Sequence, residues 1–389
     1  MSDEVQNIFR RAKQGKVLFK NKEVLSPDYV PERLPFRENQ IRQVAEVLAP
    51  ILHGSKPSNL LLYGKTGTGK TAVARYVLTR LHAEAGADIL VTYVNTRLAG
   101  TEYKTLAELC HYVGIDIPFT GISVPEVFER FCKAVKQKGV YVIVTLDEID
   151  YLVKNFGDET LYEITRSSER LKPGNLTLVG ISNDLNFKQE LDPRVLSSLS
   201  EEEIVFPPYT VDELLQILHE RAKIAFIEGA ISQSAINLCA AMAGSEHGDA
   251  RRAVDLLRIA GEIAEREGLT QIDDQCVKKA SDKMEHERIE GALKSLPIQN
   301  KLILLAASRF LEGASTGEIY LVYSSLCKEV GLEPLTQRRV SGILSELDLL
   351  GLVQASVVSK GRKGRTKKVK LLIDKKMLEG ILDDEQRST

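Results

Sequence analysis

The chain has 389 residues, 43% hydrophobic and 27% charged, enough for two or three globular domains of ordinary composition. A net charge of −2 excludes a protein that binds nucleic acid through bulk charge, so any such contact must come from local patches. Five scattered cysteines and six scattered histidines give neither a disulfide frame nor zinc spacing, no apolar stretch reaches membrane-span length, and residues 1–22 lack an apolar core of signal-peptide type, so a cytoplasmic protein with no membrane contact is expected.

In chain order, the apolar run Leu60-Leu61-Leu62-Tyr63 predicts a strand. It feeds Gly64, Lys65, Thr66, Gly67, Thr68, Gly69, Lys70 and Thr71, which fit G-x-x-x-x-G-K-[ST] at every fixed position and open onto a run of helical spacing. Glycines let backbone N–H groups close around phosphate oxygens, and the new helix points its positive end at the same anion. Lys70 is placed to reach the β- and γ-phosphates of ATP, and the Thr71 hydroxyl to hold Mg²⁺. Further strand material lies at residues 89–95. Residues 140–146 form a continuous apolar run, expected of a strand buried on both faces, and end in Asp147-Glu148-Ile149-Asp150. Asp147 at the strand tip can orient Mg²⁺, and Glu148 can polarise the water that attacks the γ-phosphate. A third apolar run, 176–182, ends in Asn183, whose amide suits a place between the acids and the γ-phosphate.

These residues resemble the AAA+ ATPases, in which such positions are named Walker A, Walker B and sensor 1. The resemblance implies further roles. Leu191-Asp192-Pro193-Arg194 looks like the segment whose arginine finger, here Arg194, reaches a neighbouring subunit's site. Gly248-Asp249-Ala250-Arg251 looks like the sensor 2 helix, with Arg251 folded back on the γ-phosphate of its own subunit and Asp249 as the helix cap. Tyr29-Val30-Pro31-Glu32-Arg33-Leu34-Pro35-Phe36-Arg37 resembles the segment that wraps the base, which places Val30 and Pro31 at the adenine. The same likeness places Tyr209, after Pro207-Pro208, and Arg221 near the nucleotide.

Residues 36–206 alternate apolar strands with helical stretches and therefore predict a parallel α/β sheet. After Pro208 the strand signals stop, and residues 211–227, 232–243, 249–267 and 273–287 read as the amphipathic helices of a lid. The pattern changes again near Ser295. Helices are expected over 299–311 and 316–330, a third helix runs from its cap Thr336 to about Leu350, and strands follow at 352–358 and 368–373. That is the order of a winged helix. Gln337, Arg338 and Arg339 open the third helix, where they can reach base edges in a major groove. The hairpin tip, with Lys360, Arg362, Lys363, Arg365 and Lys367 and no acid, fits phosphate contact across a minor groove.

A phosphate-loop ATPase with helical lid and winged helix resembles the archaeal replication-initiator family, related to both an origin-recognition subunit and the cell-division-cycle helicase loader. The likeness runs from Tyr29 to Ile373 and is most specific at 29–37, 64–71, 147–150, 191–209 and 248–257. It implies an α/β AAA+ domain over 1–208, a lid over 209–292 and a winged helix over 293–389. It also implies slow, switch-type ATP hydrolysis to ADP, double-stranded origin DNA as target, the minichromosome-maintenance helicase and paralogous initiator subunits as partners, and a nucleoid-associated place in the cell. That family inserts DNA-touching helical residues into its ATPase domain; the candidate here lies between Asn95 and Glu126, a stretch that reads equally well as plain loop and helix with no such role. A clamp-loader-like ATPase shares the nucleotide parts, but such proteins usually carry Ser-Arg-Cys where this chain has Asp192-Pro193-Arg194. A nucleotide-gated transcription regulator is the third reading the winged helix permits.

Overall fold

A computed structural model describes residues 17–27, 29–199, 201–359 and 365–388. The chain divides into two compact units, Met1–Lys279 and Ala280–Thr389, with the division inside one long helix, Asp274–Ser295.

The first unit is built on a parallel sheet of five strands, β1 (Asn59–Tyr63), β2 (Ile89–Asn95), β3 (Tyr141–Asp147), β4 (Asn175–Ser182) and β5 (Glu201–Val205), in the order β2-β3-β4-β1-β5. Successive strand residues serve opposite faces. Leu61, Val142, Val144 and Leu178 enter one core with helices Glu102–Tyr112 and Val124–Lys138. Leu60, Leu62, Ile143 and Val179 enter the other with helices Glu38–Leu48 and Lys70–Ala85. Burial on both faces is why the central strands read as unbroken apolar runs.

Register sets the chemistry. Asn95 pairs with Asp147, Asp147 with Ile181, and Tyr63 with Ser182, so the C-terminal ends of four strands lie along one sheet edge. The edge strand β5 has no apolar pattern to announce it. It forms because Asn59 to Tyr63 supply a parallel ladder for Glu201 to Val205, Ile204 is buried, and Lys188 bonds both Glu201 and Glu203.

The expected lid helices occur as Val211–Ala225, Gln233–Ser245, Ala250–Glu267 and Asp274–Ser295. Their starts are fixed by side-chain caps: Thr210 and Glu213 form a reciprocal capping box, and Ser232 and Asp249 each accept from the first turn. The first helix stops short of residue 227 because Phe226 turns extended and bridges to Phe19. The fourth runs on past residue 287 to Ser295, where Leu293 is buried in the core of the second unit.

The second unit carries helices Ile298–Ala307, Thr316–Glu329 and Gln337–Leu349 and an antiparallel sheet of order β6-β8-β7, with β6 Ala314–Ser315, β7 Val353–Ser359 and β8 Arg365–Leu371. Leu304, Ile319, Tyr323, Val340 and Leu344 fill its core. The first helix ends at Ala307 rather than at residue 311, because the Ser308 hydroxyl turns back to the Leu305 carbonyl and the chain leaves through a turn. A closing helix, Lys375–Ser388, packs Leu378, Ile381 and Leu382 into the same core and had no counterpart in the sequence reading.

Candidate nucleotide and DNA sites

Gly64, Asp147 and Asn183 follow or end β1, β3 and β4 at one edge of the sheet, where open parallel sheets take ligands. Gly67 and Gly69 have φ of +68° and +91°, and a Cβ at 67 would lie 1.7 Å from an Asp249 carboxylate oxygen, so only glycine fits there. A Cβ at 69 would lie 2.9 Å from the Tyr209 hydroxyl. Lys65 and Thr66 form the exposed tip of the loop, while Thr68 is buried and donates to the Lys65 carbonyl at 2.8 Å. This glycine-lined cradle, opening onto helix Lys70–Ala85, suits a phosphate chain.

Lys70 is 5% exposed and donates to the Gly64 and Lys65 carbonyls at 2.7 and 2.8 Å. Burial pushes its pKa down to about 8 against the carboxylates of Asp147, Asp150 and Asp249, and the charge of Arg251 lowers it further. A bound anion reverses that balance. The Thr71 hydroxyl donates to Asp147 Oδ2 at 2.8 Å, and the Tyr93 hydroxyl donates to the same oxygen at 2.6 Å. Thr71 and Asp147 thus present two hard oxygens, which fits Mg²⁺ whose remaining ligands are phosphate oxygens and water. Among the described residues no group of three or more His, Cys, Asp or Glu is arranged to hold a metal alone.

Glu148 has φ +53° and ψ +44°, a left-handed conformation that costs a non-glycine residue about 1–3 kcal/mol. It is held there from the end of β2 and the short helix Thr96–Ala99 that follows: the Thr96 hydroxyl donates to its carbonyl at 2.6 Å, the Asn95 amide to Oε1 at 3.4 Å, and Arg97 pairs with Oε2 at 3.5 Å. The Asn183 backbone N–H donates to Asp150 Oδ1 at 3.3 Å and the Ser182 hydroxyl to the same oxygen at 3.1 Å, so Asp150 pins the end of β4 beside β3. From the lid, Ala250 N–H donates to the Gly67 carbonyl at 3.2 Å and Asp249 caps Arg252 N–H at 3.1 Å. That docks the first turn carrying Arg251 on the phosphate loop. Arg194 is not brought into this group: its side chain is 77% exposed and grips Asp192 at 3.0 Å.

On the base side, Tyr209 lies under the Arg37 guanidinium at 3.6 Å with its hydroxyl against Gly69, a contact to the loop. Arg221 donates to the Val24 carbonyl at 2.8 Å and faces the Tyr29 ring at 4.7 Å. It therefore holds the segment that carries exposed Val30 and half-buried Pro31.

In the second unit, Gln337, Arg338 and Arg339 are exposed in the first turn of helix Gln337–Leu349, which Thr336 caps. Arg339 reaches Glu346 at 3.5 Å on the same helix. Lys367 donates to Ser345 Oγ at 2.7 Å, which ties β8 to that helix. Strands β7 and β8 pair as far as Ser359 and Arg365. Lys360, Arg362 and Lys363 lie outside the described residues, as does the side chain of Arg365. In the first unit, residues 95–126 contain helices Thr96–Ala99 and Glu102–Tyr112 and the start of Val124–Lys138, and Phe119 between them is 94% exposed.

Five residues around the nucleotide site were given no role from the sequence: Arg37, Tyr93, Asn95, Thr96 and Arg97. Tyr93 and Asn95 acquire their places through the β2–β3 register, and Thr96 and Arg97 through the helix that Asn95 caps at the end of β2.

Three family models match in chain order: an AAA ATPase domain over residues 33–179, a Cdc6 AAA+ ATPase-type lid domain over 215–282, and a CDC6 C-terminal winged helix domain over 291–380. The chain is 46% identical over 376 residues to ORC1-type DNA replication protein 1 of Sulfurisphaera tokodaii, covering 96% of this chain and 94% of that one. It is 45% identical to the ORC1-type DNA replication protein of Pyrococcus furiosus, covering 97% and 93%. The solved structure of the Aeropyrum pernix ORC1 protein in complex with DNA matches with a TM-score of 0.85 at 48% identity, over 95% of this chain and 98% of that one.

Proposed function

The chain belongs to the ORC1-type family of DNA replication proteins, and from that premise we propose that it marks double-stranded origin DNA, uses ATP as a switch, and helps bring in the replicative helicase. It is a replication initiator with an AAA+ ATPase domain, a Cdc6-type lid and a winged helix. The observation that carries the finer reading is the pairing, in one polypeptide, of the Thr71–Asp147 phosphate-loop site with a winged helix whose third helix opens on Gln337, Arg338 and Arg339.

Each residue then has a task. Backbone N–H groups of residues 64–71 grip the phosphates, with Lys70 leaving the loop carbonyls for the β- and γ-oxygens. Thr71 and Asp147 would hold Mg²⁺, which would supply positive charge against the phosphates. Glu148 orients the attacking water once it is free of Asn95 and Arg97, and Asn183 steadies that water from the next strand. Hydrolysis is slow in this reading because Glu148 rests in a held state. Val30 and Pro31 line the base, with Tyr209 and Arg221 supporting the loop and the base segment. Arg251 senses the γ-phosphate from the lid, so the lid angle follows nucleotide state. Exposed Arg194 completes the site of a paralogous initiator subunit.

For DNA, Gln337, Arg338 and Arg339 read bases, and Lys360, Arg362, Lys363, Arg365 and Lys367 contact phosphates. The Aeropyrum relative, at 48% identity, was solved in complex with DNA, which supports DNA as the target. A division into domains 1–208, 209–292 and 293–389 and a cytoplasmic, nucleoid-associated location belong to the same proposal. Chromatin immunoprecipitation with sequencing tests it. Peaks confined to replication origins are expected; peaks at promoters favour a transcription regulator, and no enrichment at either contradicts origin marking.

A further inference from the structure

Arg37 is the largest fully buried side chain among the described residues, 2% exposed, and it lies against the phosphate loop. Its Nε donates to the Thr68 carbonyl at 2.8 Å, Nη1 to the Phe36 carbonyl at 2.8 Å, and Nη2 to the Pro207 carbonyl at 2.7 Å. The Tyr209 ring covers the guanidinium at 3.6 Å. Among the described residues no carboxylate comes within ion-pair distance of it; burial pulls its pKa down, and Glu213 and Glu38 act on its charge only from farther off. A buried cation normally needs a counter-charge, because carbonyls and a ring compensate only part of its lost hydration. The backbone is bent to put it there: Phe36, just before it, has φ +63°, a conformation that bulky residues avoid.

The carbonyl that Arg37 holds belongs to the peptide joining Thr68 to Gly69. In a trans peptide the C=O and the next N–H point in opposite directions. Fixing the Thr68 carbonyl outward on Arg37 therefore turns the Gly69 N–H inward, toward the hollow of the loop. A cation on the carbonyl also polarises that N–H and strengthens it as a donor. Through Pro207 and Tyr209 the same side chain grips the segment that opens the lid, and the Tyr209 hydroxyl abuts Gly69 itself.

We propose that Arg37 is a positioning residue of the phosphate site: it locks the Gly69 amide into the anion cradle, supplies a buried positive charge whose counter-ion is the bound phosphate, and ties the loop to the first residues of the lid. The inference rests on the nucleotide-binding reading and deepens it. Arg37 acts on the phosphates through the loop and not on the adenine, so its loss falls on ligands with a β-phosphate.

The test is calorimetric titration of the full chain with ADP and, by competition, with AMP, for the wild type, R37Q and R37K. R37Q is expected to bind ADP about tenfold to a hundredfold more weakly with AMP unchanged. R37K, which keeps the charge on a single donor nitrogen but not the three-nitrogen fork, falls between. Equal losses for ADP and AMP, or no loss for either, overturn the inference while leaving the ATPase reading intact. A wild type that binds no ADP removes the nucleotide reading itself, and this inference with it. Should R37Q fail to fold, R37K supplies the same comparison of ADP with AMP.

Discussion

The phosphate loop and the winged helix both face anions, yet they are made in contrasting ways. In the first unit Lys70 and Arg37 are 5% and 2% exposed, and their donors are already committed to carbonyls of the loop and its neighbours. In the second unit Gln337, Arg338 and Arg339 stand exposed on one helical turn, and the ion pair of Arg339 with Glu346 is 3.5 Å long between side chains 61% and 54% exposed. Buried, preorganised groups act in a low dielectric, where geometry decides the outcome and salt matters little. Exposed cations act additively and are screened. One surface is therefore suited to gripping a short phosphate chain in a fixed geometry, the other to holding a long, uniform polyanion.

If that contrast holds, single changes in the first unit have large and qualitatively different effects. Glu148→Gln should lower ATP hydrolysis about 10²- to 10⁴-fold in a steady-state assay while retaining ATP. Lys70→Ala should instead weaken ATP binding itself, by about 2–4 kcal/mol in a titration, because a charged donor to the phosphates is gone. Equal loss of binding in both variants would break the separation of roles. Changes in the second unit should be smaller and graded. Arg338→Ala and Arg339→Ala should each cost about 1–3 kcal/mol on the preferred duplex and less on random sequence. The smallest effect belongs to the wing. Log affinity for duplex DNA should fall with log salt at a slope of about −4 to −5, and Lys367→Gln should reduce that slope by about 1. A flat salt response would remove the wing from the interface.

The two regions also differ in how much of them can be read from the chain alone. β1, β3 and β4 are legible because both faces are buried, which produces apolar runs with a polar or glycine stop, and the motif residues sit at those stops. β5 is not legible: its Glu201-Glu202-Glu203 start is an acidic run, stabilised by a neighbouring strand and by Lys188 from a distant turn. Arg37 belonged to a recognisable segment, but its role depends on Thr68, Pro207 and Tyr209, which are remote in sequence and meet it only after folding. The grip of Asn95 and Arg97 on Glu148 depends in the same way on β2 pairing in register with β3. The helices of the winged helix were legible from periodicity and the Thr336 cap, whereas the closing helix Lys375–Ser388 carries its apolar residues at 378, 381 and 382 within a charged stretch.

Separability of the two surfaces is tested most directly by one calorimetric matrix: wild type, Lys70→Ala and the double variant Arg338→Ala/Arg339→Ala, each titrated with ATP–Mg²⁺ and with an origin duplex. Two independent surfaces require that the first variant lose ATP and keep the duplex, and that the second lose the duplex and keep ATP. A wild type that holds neither ligand, or a single variant that loses both, would contradict the division of labour between the phosphate loop and the winged helix.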